Sequence, residues 1–441
     1  MTFLQLSCTQ LSYTAEAQIS TFEQVQMMVI LLVITLVVAL VSRRFRLPYT
    51  LILVFVGLII GLLPILTQVH LDPDIVLFLF LPALLFEGAW NVEIEQLLAD
   101  WLPIVLLAVP GLGLSLLLVA AVVHWGIGLP WLVALLLGAM VSPTDPVAVL
   151  SLLRQLGMPD RLRTIIEGES LFNDGVGAAA FELILLFLLP SLGLANNAHA
   201  LSFWAALGLG LWLMLGGLLL GLVVGWIVTH FLRFVDDHLI EMTVTLSVAY
   251  GVYLLGLALQ TSGLLAVVGA GLVMGSYGRR IGMSERAQQS TYDIWEFLGY
   301  IANSFLFLLL GIQIGETNLF QALPGIGWTL LGVVAGRVLM TYIFLPFHDA
   351  LARRVSYKKE TSPRFFPAPR PLLPMWRPLL VLSGLRGALS IALVLSLPVF
   401  AQRGLLASIV YGVVLVTLLG QGLGLRILLP HWPKSVDELP L

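Results

Sequence analysis

Apolar runs of roughly 20 residues follow one another along almost the whole chain, and the polar residues gather in the short breaks between them. A run of that length lets an α-helix cross about 30 Å of hydrocarbon. The pattern predicts about thirteen spans, at 24–42, 48–66, 74–90, 101–125, 130–153, 164–190, 203–231, 238–259, 263–278, 291–314, 326–347, 376–398 and 405–429. The expected fold class is therefore an all-α polytopic membrane protein.

The basic residues set the orientation. With residues 1–23 outside the cytoplasm, the inner loops hold Arg43, Arg44 and Arg46, then Arg154, Arg161 and Arg163, then Arg233, then Arg279, Arg280 and Arg286. The last inner loop holds Arg353, Arg354, Lys358, Lys359, Arg364, Arg370 and Arg377, whereas the outer loops carry only Arg403. Positive charge on the inner side is the rule for such proteins. It places residues 431–441, with Lys434, in a short cytoplasmic tail. Ser362 to Pro378 is the one extended polar linker, and it too is cytoplasmic.

Composition narrows the class. Of 441 residues, 59% are hydrophobic and 11% charged, against about 25% charged in soluble domains. Cys8 is the single cysteine, which excludes an internal disulfide. No Cys/His cluster offers a metal site, and no cofactor or nucleic-acid partner is expected. The run Val25 to Val41 reads as a retained anchor, because no basic segment precedes it as in a cleaved signal.

An odd number of spans permits two inverted six-helix repeats. The first covers about 24–190, a linking span covers about 203–231, and the second covers about 238–429. Inverted repeats with discontinuous helices are common in secondary transporters. Spans 5 and 12 hold the expected breaks, at Ser142-Pro143-Thr144-Asp145-Pro146 and at Gly384-Leu385-Arg386-Gly387. Pro143 and Pro146 lack an N–H, so the carbonyls of Ala139 and Ser142 lose their helical partners.

The break carries oxygen chemistry. Free carbonyls, the Thr144 hydroxyl and the Asp145 carboxylate are hard donors of the kind Na+ prefers. A proline kink with a polar cap is the plainer reading of the same residues. Span 6 opens with Glu167-Gly168-Glu169-Ser170-Leu171-Phe172-Asn173-Asp174-Gly175. A carboxylate in hydrocarbon costs roughly 2.5–3.5 kcal/mol or more, so Asp174 must face protein, water or a bound cation. At about 100° per residue, Ser170 and Asp174 share a face, while Glu169 points about 140° away. Asn173 is neutral, which leaves one titratable site in the pair.

A buried arginine needs a carboxylate. Arg337, mid-span in span 11, is assigned to Glu169. Arg386 sits in the span 12 break opposite Asp145. If the broken spans cross, Arg386 offsets the negative half-helix ends and Asp145 the positive ones. Glu87 near the inner end of span 3 reads either as a further carboxylate of an inward-facing funnel or as an interfacial residue. Glu182 reads as a protonated, hydrogen-bonded acid or as a functional one. Glu296, Asn303 and Gln313 on span 10 line a polar face or a helix contact. The seven histidines fall in loops or near span ends. Gly216, Gly217, Gly221 and Gly225 allow close helix packing.

Together these motifs resemble the monovalent cation:proton antiporters of the NhaP/NHE type. Further matching segments are Phe80-Leu81-Pro82 through Phe86-Glu87, Trp295-Glu296-Phe297-Leu298 through Asn303-Ser304, and Gly384-Leu385-Arg386-Gly387-Ala388-Leu389-Ser390. The resemblance spans about residues 25–430. It implies an NhaA/NhaP-like fold of thirteen spans, working as a homodimer with a mobile core domain. It implies that Asp174 binds the proton and the cation by turns. The implied cation ligands are Asp174, Ser170, Thr144 and Glu87, with Asn173 beside them and Asp145 at the crossing. It implies one-for-one electroneutral exchange, because Asn173 stands where other relatives have an acid, and a stabilising Glu169–Arg337 pair. Leu257 departs from the acid that many relatives carry there, and the tail is shorter than that of animal members.

The function expected is secondary transport, not enzymic catalysis: Na+, with Li+ and K+ as alternatives, exchanged for H+ across the bilayer by alternating access. The membrane expected is a prokaryotic plasma membrane. One alternative is a proton-coupled carrier of small organic solutes, which would need a larger pocket. Another is an intramembrane hydrolase using Asp145 and Asp174, for which no second catalytic signature is present.

Overall fold

A computed structural model describes residues 21–45, 49–63, 75–146, 149–150, 153–154, 157–193, 203–235, 237–357 and 370–428. The expected cytoplasmic tail, the start of the expected outer segment, Cys8, Arg46 and the stretch 358–369 lie outside the described residues. The described residues form helices joined by short loops, with no strand among them.

In chain order the helices are α1 (Thr21–Phe45), α2 (Tyr49–Leu62), α3 (Val76–Asn91), α4 (Ile94–Ala99), α5 (Trp101–Ile127), α6 (Trp131–Val141), α7 (Asp160–Ser191), α8 (Trp204–Leu232) and α9 (His238–Ala258). There follow α10 (Gly263–Val273), α11 (Glu285–Glu316), α12 (Leu319–Tyr357), α13 (Trp376–Leu382), α14 (Ala388–Leu395) and α15 (Arg403–Leu428). Seven of the described helices are long and apolar enough to cross a membrane by length and composition: α5, α7, α8, α9, α11, α12 and α15. The remaining predicted spans fall on the shorter α1, α2, α3 and α10, and on the two interrupted pairs. The first pair is α6 with helical residues 149–150 and 153–154; the second is α13 with α14.

Local chemistry sets the helix limits. The Asp237 side chain accepts from the N–H groups of Leu239 (2.8 Å) and Ile240 (3.4 Å) at the start of α9. Ser262 and Ser284 do the same for α10 and α11, each at 3.3 Å; such caps satisfy N–H groups that have no intrahelical partner. Gly128, at φ 73°, closes α5 in the left-handed conformation open to glycine.

Several helices outrun their predicted spans, because polar first and last turns are invisible to an apolar run. α7 begins at Asp160, so Arg161 lies in a helix and not in a loop. α12 runs from Leu319 to Tyr357, past the predicted limit at 347, so His348 lies inside a helix and is fully buried. The sequence reading puts His348 just past the end of span 11, and the helix carries on beyond it to Tyr357. The short α4 is amphipathic and was not predicted.

Close helix contacts run through backbone. Gly217, Gly221 and Gly225 of α8 face Ser262, Ala266 and Ala270 on and before α10, where an added methyl would meet main-chain atoms. α8 is otherwise poorly covered, with Trp204, Trp212, Trp226 and Phe231 exposed, the surface a lipid-facing helix presents.

A polar clamp ties together the helix ends beside the segment 370–377. Arg161 forks onto Asp100, with 2.7 Å at the closest pair, and donates to the carbonyls of Arg370 (2.7 Å) and Pro371 (3.0 Å). Asp349 accepts from the Leu372 N–H at 2.9 Å and from Arg377 at 2.8 Å. His348 Nδ1 lies 3.1 Å from Asp349.

Candidate functional site

The two interrupted pairs meet. α6 stops at Val141, the Ser142 N–H makes its last helical bond, to the Gly138 carbonyl at 3.0 Å, and Pro143 to Pro146 run on outside any helix. α13 stops at Leu382, and α14 begins at Ala388. The Asp145 N–H donates to the Leu385 carbonyl at 2.9 Å, so one break is bonded to the other through main chain.

Arg386 fills the place that proline chemistry opens. The Pro146 ring deprives the Ser142 carbonyl of its helical donor. Arg386 Nη1 donates to that carbonyl and, at 2.9 Å, to the carbonyl of Pro143. A guanidinium thus caps the negative C-terminal end of α6. Arg386 is 1% exposed, and its backbone N–H reaches the Thr417 hydroxyl of α15 at 3.4 Å. On the other side, the Asp145 carboxylate lies against Gly387 at the positive N-terminal end of α14, so close that any Cβ at 387 would overlap it.

Helix α7 holds Thr144 by three groups. Asn173 Oδ1 accepts the Thr144 N–H at 3.2 Å, and Asn173 Nδ2 donates to the Thr144 hydroxyl at 2.7 Å. Ser170 Oγ donates to the Thr144 carbonyl. All three residues are buried. Non-helical backbone at membrane depth needs such partners.

Asp174 follows on the same helix and is different. It keeps part of its surface accessible, as does Asp145. Asp145 and Arg386 are its charged neighbours. No hydrogen bond or ion pair joins it to another described residue.

Glu169 points to the other side, as the helical period requires. Arg337 of α12 grips it with both Nη atoms, the Nη2–Oε2 distance being 3.0 Å. Arg337 also donates to the Leu380 carbonyl at 2.9 Å and to Ser383 Oγ at 3.2 Å. The pair is buried and pins α7 and α12 to the end of α13. Ser383 and Leu380 carry no signal in the sequence that marks them for this task.

Glu87 is not brought to this group by any bond between described residues. It accepts from Asn91 at 2.7 Å and packs against Gly299 of α11. Its charged neighbours are Glu167, Glu296 and Arg154. Sequence reasoning missed Asn91, whose only trace is its i, i+4 spacing from Glu87. Glu182 is half-buried, with no bond to another described residue. Among the described residues no three His, Cys, Asp or Glu side chains form a metal cluster.

Residues 29–431 match the family model described as "Sodium/hydrogen exchanger, transmembrane". The chain is 37% identical over 389 residues to the Na(+)/H(+) antiporter ApNhaP of Aphanothece halophytica, covering 88% of this chain and 70% of that one. It is 32% identical over 420 residues to the Na(+)/H(+) antiporter NhaH of Halobacillus dabanensis, covering 92% and 97%. In fold it is similar to the sodium proton antiporter MjNhaP1 of Methanocaldococcus jannaschii, with a TM-score of 0.72 at 21% identity, over 92% of this chain and 97% of that one.

Proposed function

The chain belongs to the sodium/hydrogen exchanger family, and on that premise we propose that it is a secondary transporter exchanging Na+ for H+ across a membrane, with Li+ and K+ as the alternative cations. The observation that carries this reading is Asp174: a partly accessible carboxylate at the crossing of two broken helices, to which no donor among the described residues is bonded. Its neighbours Ser170 and Asn173 are committed to Thr144. The crossing is therefore rigid around one carboxylate that remains able to take either ion.

The coupling follows from occupancy. A proton makes Asp174 neutral and removes the charge that attracts Na+; a bound Na+ excludes the proton. One carboxylate then exchanges one ion for the other without a further device, and the neutral Asn173 keeps the exchange electroneutral at one for one. The Asp145 charge close by adds to the attraction for a cation, and Arg386 offsets it. The Thr144 and Ser170 oxygens keep lone pairs beyond those hydrogen bonds and complete the set of hard ligands, and Glu87 supplies a carboxylate on the route to them.

The same reading includes thirteen spans in two inverted repeats, a homodimer, a prokaryotic plasma membrane, and an outer N-terminus with a cytoplasmic C-terminus. Alternating access moves the crossing helices against the rest. The test is Asp174→Asn in everted vesicles. Na+-driven dissipation of a preset ΔpH is expected to vanish; dissipation near the original rate defeats the reading.

A further inference from the structure

The Glu87 carboxylate has its two oxygens in different surroundings. Oε1 accepts from Asn91 Nδ2, one turn further along α3, at 2.7 Å. The Cγ–Oε2 side lies against Gly299 of α11, where a Cβ would come within 3.1 Å of Cγ and 3.3 Å of Oε2. Glu167 of α7 and Glu296 of α11 add like charge around it, and Arg154 adds one opposing charge. Glu87 thus stands where α3, α7 and α11 come together. Glu167 sits two turns from Asp174 on the same face of α7.

We propose that Asn91 is a positioning residue for cation uptake: its amide fixes Glu87 so that the free carboxylate oxygen is presented to an incoming Na+ between α3, α7 and α11. The chemistry favours an amide for this task. A glutamate side chain samples many rotamers, and a single well-aligned donor selects among them. A lysine or arginine would hold the carboxylate equally well, yet would cancel the charge that draws the cation in. Asparagine donates without net charge. The glycine at 299 leaves room beside Oε2 that a side chain there would fill, and Oε2 accepts no hydrogen bond from another described residue.

The inference rests on the reading of Glu87 as a carboxylate of the cation route, and the experiment separates the two. Purified protein in proteoliposomes is assayed for Na+/H+ exchange as wild type, Asn91→Leu, Asn91→Gln, Glu87→Gln and the double variant Glu87→Gln with Asn91→Leu. Asn91→Leu is expected to raise the KM for Na+ by roughly ten- to a hundredfold, the size of losing one hydrogen bond to a charged group. Its maximal rate should stay within about twofold of wild type. Asn91→Gln, which restores the amide one methylene further out, should recover part of that loss, and it serves as the working variant if the leucine protein melts early. In the double variant Asn91→Leu should add nothing to the effect of Glu87→Gln, as a shared path requires. An unchanged KM in Asn91→Leu, or an equal further loss in the double variant, overturns the role of Asn91 while leaving Glu87 in place. An unchanged KM in Glu87→Gln overturns both.

Discussion

Asn173 grips Thr144 from two sides, accepting its backbone N–H at 3.2 Å and donating to its hydroxyl at 2.7 Å. An amide does both at once from two different atoms: an ionised aspartate cannot donate and a leucine can do neither. Asn173→Ala should therefore loosen the first break, at a cost of about 1–3 kcal/mol for the groups left unpaired. Both the melting temperature in detergent and the exchange rate should fall. Asn173→Asp should keep the N–H acceptor and accept a hydrogen bond from the Thr144 hydroxyl in place of donating to it, at the cost of a second buried charge beside Asp174, melting between alanine and wild type.

The Glu169–Arg337 pair is buried on both sides, 1% and 3% exposed. Removing one partner leaves a charge without its counterpart, which costs about 3–5 kcal/mol. Glu169→Gln and Arg337→Leu should each lower the melting temperature by several degrees. Arg337→Lys should not rescue, because an ammonium cannot grip both carboxylate oxygens and also reach Leu380 and Ser383.

Gly387 has no room for a side chain, since the Asp145 carboxylate occupies the place of its Cβ. Gly387→Ala should push Asp145 from the N-terminal end of α14. Exchange is expected to drop at least about tenfold, on the scale of about 1.4 kcal/mol or more. Gly384→Ala is the control, since the Cβ there meets the side chain of Arg337 and not Asp145.

The clamp around 370–377 should matter for stability more than for ion affinity. Asp349→Ala removes the acceptor shared by the Leu372 N–H and Arg377. It should cost about 1–3 kcal/mol and speed limited proteolysis within that segment. The KM for Na+ should change less than about twofold, because the clamp lies outside the crossing.

Competition at one carboxylate fixes the form of the pH response. Below the pH at which Asp174 is half protonated, the apparent KM for Na+ should rise about tenfold per unit of acidification, since one proton opposes one cation. Above that pH it should level off, and the rate at saturating Na+ should hold. Initial rates over a pH series read this directly; a slope near two decades per unit would mean a second titrating group.

Much of this arrangement is legible in the residues. The apolar runs give the helices, and the two prolines give the break at Ser142–Pro146. The 100° step separates Glu169 from the Asp174 face and directs it to Arg337. What the sequence leaves out are contacts without periodicity. Nothing in the residues says that Ser170 and Asn173 spend their polar groups on Thr144, or that Leu385 offers the carbonyl that joins the breaks. His348 escaped because an apolar-run reading ends α12 a full ten residues early. The family resemblance groups Glu87 with the Asp174 ligands, and nothing in the residues says that one of its oxygens is held by Asn91 on its own helix.

The most direct measurement is proton release on cation binding. Purified protein in weakly buffered detergent, at a pH where the carboxylate is protonated, is mixed with NaCl or with choline chloride. About one H+ should be released per Na+ bound by wild type, as linkage at a single site requires, and none by Asp174→Asn. Release of the same size from Asp174→Asn, or Na+ binding to wild type without release, would contradict competition at Asp174.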